Sequence, residues 1–320
     1  MLSMLLPPPL IGALTAGLMA CWLLLIGVLL APGIALKALF AYPIPLPAVC
    51  RLATRYLTGV ADLWVAGNAV IYRLLQEVRW QVSIDGVIEP GRSYLLMSNH
   101  QSWADIPVLC DALQGRIRFP RFFLKRELIW VPIIGVTCWA LDMPFMRRHS
   151  REAIARNPQL RGDDLRATRE FCEKYRRQPI TAIMFPEGTR FTEAKRDGKD
   201  SPYRHLLRAK SAGMAFTLNA MGEQFAGMID VTIAYKPTAS GGSIVWSWLC
   251  GQQQTLVVQA EVRPLPAEIL HGDHDGDAEF RGRFQAWLNG LWAHKDAQLD
   301  RLKARATDGV GGPTPAPSSG

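Results

Sequence analysis

His100 and Asp105 are two residues whose types and spacing suit acid–base chemistry. His100 follows the apolar run at 93–98 after one intervening residue, Asn99, and a helical pattern begins at Trp103. This order predicts a strand-to-helix turn of the kind where α/β proteins bind ligands. A carboxylate early in that helix can hold Nδ1–H of the imidazole and leave Nε2 to accept a proton. The spacing alone is weak, because a turn histidine beside a helix-capping aspartate gives the same pattern.

A second motif, Phe-Pro-Glu-Gly-Thr-Arg at residues 185–190, follows another apolar run at 180–184. Gly188 permits a tight turn or the close approach of a ligand. Glu187 supplies an acceptor, Thr189 a hydroxyl, and Arg190 a planar fork that matches a phosphate. Alone, the motif is equally typical of a simple turn.

Alternating strand and helix patterns predict the elements that position these residues. The pattern indicates an α/β fold, with a mixed, largely parallel sheet flanked by helices. Predicted strands are 81–85, 93–98, 117–124, 139–146, 180–185, 228–235 and 255–262, and predicted helices are 103–113, 164–177, 209–221 and 278–302.

The N-terminus predicts a membrane-embedded helix pair. Residues 10–31 carry no charge and are long enough as a helix to cross a bilayer, and the first charge is Lys37. A signal peptide is the rival interpretation, but no basic segment precedes the apolar run. Prolines at 43–47 break the chain before an amphipathic helix at 49–78, which could lie on the membrane or pack on the globular part. A membrane span and a hairpin that re-enters one leaflet both remain open. The basic residues that follow predict a membrane protein with its globular part on the cytoplasmic face, at the inner membrane if the source is bacterial.

The net charge of +8 is concentrated at residues 116–151, which contain eight basic residues and two acidic ones. Joined to an apolar N-terminus, this pattern excludes nucleic acid as the partner and favours an anionic lipid surface, with Arg116, Arg118 and Arg121 assigned to that surface. An uncharged run at 128–141 is too short to span and is predicted either to dip into the membrane or to line an acyl tunnel. We expect no metal site, because the His/Asp-rich stretch at 271–277 has the glycine content of a loop that caps the last helix. The predicted divisions are 1–79 for the helix pair, 80–306 for the globular domain and 307–320 for a disordered tail.

Together, the two motifs resemble those of the glycerolipid acyltransferase family, whose best-known members are the 1-acylglycerol-3-phosphate acyltransferases. Two further blocks stand in the family's order: Lys125 to Gly135 with the run Phe-Met-Arg-Arg at 145–148, and Ile-Asp-Val-Thr-Ile-Ala-Tyr at 229–235. The last block has no proline before Pro237, where the family usually has one. The residues at 205–213 are closer to the branch that resembles lysocardiolipin and lysophosphatidylinositol acyltransferases, which leaves the head group open.

The resemblance implies transfer of a fatty acyl group from acyl-CoA or acyl-carrier protein to the free hydroxyl of a lysophospholipid, with no other cofactor. His100 would be the general base and Asp105 would orient it. The phosphate would be bound by Lys125, Arg148 and Arg190, and the acceptor site would be shaped by Asn99, Glu187, Gly188 and Thr189, with Glu187 binding a glycerol hydroxyl or holding Arg190. Ser102 is assigned a capping role. The competing hypotheses are a non-catalytic lipid-binding protein on the same scaffold and a membrane-bound phosphatase or phosphodiesterase.

Overall fold

A computed structural model describes residues 5–41, 46–76, 79–146, 156, 166, 170–173, 175, 179–236, 243–253, 255–274 and 276–308. The chain begins with two long helices, α1 (Pro8–Ala41) and α2 (Pro47–Leu75). They lie antiparallel, because Gln76 at the end of α2 bonds to Thr15 in α1, whereas Thr54 near the start of α2 bonds to Lys37. Within the described residues, Pro8–Phe40 is the helix long and apolar enough to cross a membrane.

A six-stranded sheet forms the centre of the globular part, in the order β1–β8–β7–β2–β6–β3. Neighbouring strands are parallel except for the antiparallel pair β7 and β8, so the predicted mixed, largely parallel sheet is confirmed. The strands are β1 (Arg79–Asp85), β2 (Ser93–Ser98), β3 (Arg121–Phe122), β6 (Thr181–Met184), β7 (Phe225–Tyr235) and β8 (Thr255–Arg263), and a separate parallel pair is formed by β4 (Leu124–Lys125) and β5 (Phe145–Met146).

Both faces of the sheet are covered by apolar layers. Along β2, Tyr94 and Leu96 point into the layer that contains α2, whereas Leu95 and Met97 point into the opposite layer, as the two-residue repeat of a strand requires. All four side chains are buried, which explains why this strand is an unbroken apolar run. Further helices with bounds in the described part of the chain are α3 (Asp105–Ala112), α4 (Ile134–Ala140), α5 (Glu193–Asp197), α6 (Ala212–Met221), α7 (Ile244–Leu249), α8 (Ala267–Leu270) and α9 (Ala278–Asp308).

The predicted strand at 139–146 is wrong over most of its length, because its first part ends helix α4 and only Phe145 and Met146 form a strand. The predicted strand at 117–124 is likewise reduced to β3 and the start of β4. Most of the predicted helix at 164–177 and the tail from 309 onward lie outside the described residues. At the last helix, the predicted capping loop is present: Oδ1 of Asp277 accepts the backbone N–H groups of Glu279 and Phe280.

Arg121 does not belong to an exposed lipid-facing surface, as the sequence predicted. Its side chain is buried and donates to the hydroxyl of Tyr175, the carbonyl of Phe119 and the hydroxyl of Thr58 in α2. These partners satisfy the guanidinium inside the protein and tie α2 to the globular part. Arg116 and Arg118 are exposed.

Helix α1 contacts the globular part at both of its ends. Near its start, a Cβ added to Gly12 would lie 2.6 Å from Sγ of Cys250. Near its end, Lys37 forms a buried ion pair with Asp142 at 2.5 Å and also donates to the carbonyl of Ala140. The helix therefore lies along the globular part instead of projecting from it.

Candidate active site

His100 and Asp105 meet at the carboxyl end of β2. Nδ1 of His100 lies 2.8 Å from Oδ2 of Asp105. The aspartate is fully buried as the first residue of α3, whereas 17% of the histidine side chain is exposed. No described residue hydrogen-bonds to Nε2 of His100.

The Asp105 carboxylate accepts three further hydrogen bonds. The backbone N–H groups of Gln101 and Ser102 donate to Oδ2 at 2.7 and 2.9 Å, and the hydroxyl of Tyr235 donates to Oδ1 at 2.7 Å. A buried carboxylate needs such donors, because leaving it unpaired costs several kcal/mol. With its oxygens oriented from several directions, Asp105 holds the imidazole in one orientation and one tautomer.

Tyr235 is a site residue that sequence reasoning did not find. It ends β7 and is completely buried, and burial together with the neighbouring Asp105 raises its pKa well above the usual range. The hydroxyl therefore keeps its proton and serves as a donor. Tyr235 lies 130 residues from Asp105, and only the pairing of β7 with β2 brings the two together.

Asn99 holds the turn and does not line an open acceptor site. Its side chain is fully buried, donates to the carbonyl of Ile233 and accepts from the N–H of Ile233, both at 2.9 Å. The amide of Gln101 also donates to that carbonyl at 3.0 Å. This cross-link fixes the end of β2 against the end of β7, directly beside His100.

Glu187 has different partners from those that the sequence predicted. It is 1% exposed, and its two oxygens accept the backbone N–H groups of His100 at 2.8 Å and Leu207 at 2.9 Å. Burial raises its pKa from 4.5 to about 7, although the two backbone donors act in the opposite direction. Glu187 therefore links the backbone of the turn that contains His100 to the backbone at Leu207.

Phe185, the first residue of the second motif, packs against His100. The ring of Phe185 stacks on the imidazole with 4.3 Å between the ring centres. Gly188 has a φ of +66°, a left-handed conformation that favours glycine, and its N–H donates to the carbonyl of Phe185. Thr189 accepts a hydrogen bond from Nζ of Lys195 at 3.0 Å, which places its hydroxyl in a structural contact.

Of the three residues predicted to bind phosphate, the structure brings Arg190 to the histidine turn. Its exposed guanidinium lies 5.0 Å from the centre of the Trp103 ring, three residues after His100. Lys125 is exposed on β4, in the small two-stranded sheet, and no described contact joins it to His100 or Arg190. Arg148 lies outside the described residues.

Ser102 does not cap α3 as the sequence predicted, because the N-cap of this helix is Ala104 and has no side-chain hydrogen bond. The Oγ of Ser102 accepts the N–H of Ala104 at 3.1 Å, at the start of α3. In the part of the chain that the structure describes, no group of three or more His, Cys, Asp or Glu side chains has the arrangement of a metal site.

The fold and the site together define an α/β domain built around a buried aspartate and a partly exposed histidine. Residues 79–236, 158 of the 320 residues, match the family model described as Acyltransferase. The matched range contains every site residue described above, from Asn99 to Tyr235.

Two relatives show how far the similarity extends. The chain is 24% identical over 272 residues to lysocardiolipin acyltransferase 1 of Danio rerio, covering 81% of this chain and 65% of the relative. It is 32% identical over 101 residues to 1-acyl-sn-glycerol-3-phosphate acyltransferase alpha of Homo sapiens, covering 32% of this chain and 31% of the relative. The chain thus spans less than two thirds of either protein. The crystal structure of the 1-acyl-sn-glycerophosphate acyltransferase PlsC from Thermotoga maritima aligns with 90% of this chain and 98% of its own, with a TM-score of 0.44 and 17% identity.

Proposed function

We propose that this protein is an enzyme that transfers a fatty acyl group from a thioester, acyl-CoA or acyl-carrier protein, to the free hydroxyl of a lysophospholipid. The observation that carries the proposal is the 2.8 Å contact between His100 and an Asp105 that is itself held by three other donors. The family match and the names of the relatives support the same reaction class.

The reaction needs one general base and no protein nucleophile. Nε2 of His100 takes the proton of the acceptor hydroxyl while Asp105 stabilises the imidazolium that forms. The acceptor oxygen then attacks the thioester carbonyl carbon, and the tetrahedral intermediate collapses with cleavage of the carbon–sulfur bond. The imidazolium returns its proton to the departing thiolate. Ser102 is buried, which supports direct transfer without an acyl-enzyme.

Arg190 is the residue we propose for the acceptor phosphate, because its exposed guanidinium stands beside the histidine turn. A guanidinium can bind a phosphate with two parallel hydrogen bonds. Lys125 and Arg148 complete the proposed set, and they rest on the resemblance of their sequence block.

The proposed location is a membrane surface, with the catalytic domain on the cytoplasmic face. The apolar α1 supports membrane attachment. Both ends of α1 contact globular residues, Gly12 at Cys250 and Lys37 at Asp142, which favours a helix pair embedded in one leaflet over a helix that crosses to the other side. An enzyme placed in this way meets a lysophospholipid without extracting it from the bilayer.

The experiment is a thiol-release assay with the full chain in anionic phospholipid vesicles, using acyl-CoA and a panel of lysophospholipids. We expect turnover that depends on an acceptor and falls about 100-fold or more in His100→Ala, the usual contribution of a general base. His271→Ala is the matched control, because His271 is an exposed histidine that also pairs with a carboxylate, Glu223.

Equal activity in His100→Ala and the wild type would contradict the mechanism. Binding of lysophospholipid by folded protein, without turnover with acyl-CoA or acyl-carrier protein, would favour the non-catalytic alternative. Release of inorganic phosphate that is lost with a chelator would favour a phosphatase.

A further inference from the structure

The chain between β4 and β5 folds into a compact helical hairpin. It consists of a 3₁₀ helix at Arg126–Trp130, a turn at 131–133 and helix α4 (Ile134–Ala140), and we call residues 126–140 the apolar hairpin. Its base is closed by the parallel pairing of Lys125 with Met146. The hairpin therefore begins directly after a residue predicted to bind phosphate.

Close packing makes the apolar hairpin a defined unit. A Cβ added to Gly135 would lie 2.0 Å from the carbonyl oxygen of Ile129. The 3₁₀ helix and α4 can therefore pack this closely only if residue 135 is glycine. Ile133 has a φ of +64° at the turn, a conformation that β-branched residues rarely adopt. A branched residue in this conformation indicates that the surrounding packing determines the shape of the turn.

The hairpin exposes large apolar side chains. Trp130 is 85% exposed, Ile134 44%, Val136 43% and Ile129 37%, and there is no charged residue between Leu128 and Leu141. A contiguous apolar patch of this kind is uncommon on the surface of a soluble protein and marks an interaction surface.

The exposed patch continues onto helix α1. A Cβ added to Gly27 would lie 3.6 Å from Cγ2 of Ile133, so the tip of the hairpin touches the middle of α1. Next to Gly27 in α1, the side chains of Leu24, Leu25 and Val28 are also exposed. The hairpin and the apolar helix therefore share one surface.

We infer that the apolar hairpin inserts into the phospholipid bilayer and forms a second membrane contact, made by the catalytic domain itself. Because the hairpin and α1 share one exposed apolar surface, a bilayer that contacts α1 would also contact the hairpin. Trp130 has the amphipathic ring typical of the membrane interface. Exposed Lys125 lies just before the hairpin and exposed Arg126 is its first residue, where anionic head groups would lie. Insertion would place Lys125 at head-group depth. The inference depends on α1 residing in a membrane and does not depend on acyl transfer.

Photocrosslinking from single positions tests the inference. Benzoylphenylalanine is placed at position 130 or 136 of the full chain, which is then bound to vesicles of phosphatidylcholine and phosphatidylglycerol that contain a radiolabelled phospholipid. Position 87 is the matched control, because Val87 is 78% exposed in the turn after β1 and does not belong to the hairpin. Two hairpin positions guard against a local folding defect at one of them.

We expect position 130 and position 136 each to capture several times more labelled lipid than position 87. Equal capture at all three positions would overturn the inference, and so would capture of a second copy of the protein in place of lipid. Because the readout is lipid capture, the inference can fail while the thiol-release assay succeeds, and the reverse.

Discussion

The hydroxyl of Tyr235 donates a 2.7 Å hydrogen bond to Oδ1 of Asp105, the carboxylate whose other oxygen holds His100. The base of the proposed reaction is thus oriented by a residue on β7, although the histidine itself is on the turn after β2. We expect Tyr235 to affect catalysis through Asp105 and not by contact with the substrate, because its side chain is fully buried.

Tyr235→Phe should lower kcat by about 10-fold, because a buried carboxylate loses one of its donors at a cost of about 1–3 kcal/mol. KM for the acceptor should stay unchanged, since the tyrosine positions Asp105 and does not contact substrate. The measurement is steady-state kinetics in vesicles. Tyr94→Phe is the control, because Tyr94 is also buried and its hydroxyl accepts the N–H of Glu89. A fall in kcat of equal size in both variants would contradict the positioning role.

Glu187 should make the stability of the protein depend on pH. Burial raises the pKa of Glu187 from 4.5 to about 7, so the folded state binds a proton that the unfolded state has already released. The free energy of unfolding should therefore fall as the pH rises from 4.5 to 7, by about 3 kcal/mol for this group.

Urea unfolding in detergent, compared between the wild type and Glu187→Gln, isolates that change. The variant should lack the Glu187 contribution to the pH dependence. It should also be less active, because one amide oxygen cannot accept from both His100 and Leu207. Parallel pH profiles for the two proteins would show that Glu187 does not titrate in this range.

Arg190→Ala should raise KM for a phosphate-bearing acceptor by about 10-fold or more, the usual effect of losing a charge-assisted hydrogen bond. KM for an uncharged monoacylglycerol should not change. Arg283→Ala is the matched control, because its guanidinium also lies over an aromatic ring, Phe280. Equal effects on charged and uncharged acceptors would argue against phosphate binding by Arg190.

Gly188→Ala and Gly213→Ala should change stability in opposite directions. Gly188 has a left-handed backbone, where alanine costs about 1–2 kcal/mol. Gly213 lies inside α6 with open space where a Cβ would stand, so alanine should stabilise the helix by about 1 kcal/mol. Thermal unfolding measures both, and a loss of stability in Gly213→Ala would contradict the account of that helix.

Lys37→Met should destabilise the protein by about 3–5 kcal/mol, because it removes one partner of a buried ion pair. Lys199→Met removes an exposed lysine and should have little effect. Urea unfolding of both variants provides the comparison. Similar values for the two would show that the pair does not join α1 to the globular part.

The sequence predicted those parts of the fold whose signal is local. The strand at 93–98 is buried on both faces and is therefore an unbroken apolar run. The run at 139–146 was assigned to a strand for the same reason, but its first residues belong to α4, since periodicity in a short apolar run does not separate helix from strand.

The sequence could predict those contacts of the site that join residues close together in the chain. His100 and Asp105 are five residues apart and meet as expected. The partners of Glu187 and Tyr235 are set by which strands and loops are neighbours, and a single sequence carries no local signal for that. The interior position of Arg121 has the same cause, because one of its partners is Thr58 in α2.

The order of strands in the sheet also has a consequence for synthesis. β1 is an edge strand whose partner is β8, and its first residue, Arg79, pairs with Thr255. At the usual pace of a ribosome, roughly 10 to 35 s pass between the two residues. The two N-terminal helices leave the ribosome before either strand. They can therefore bind the membrane before β8 has been synthesised and before β1 can pair with it. A nascent chain that stops before β8 would carry both motifs of the site but an unfinished sheet.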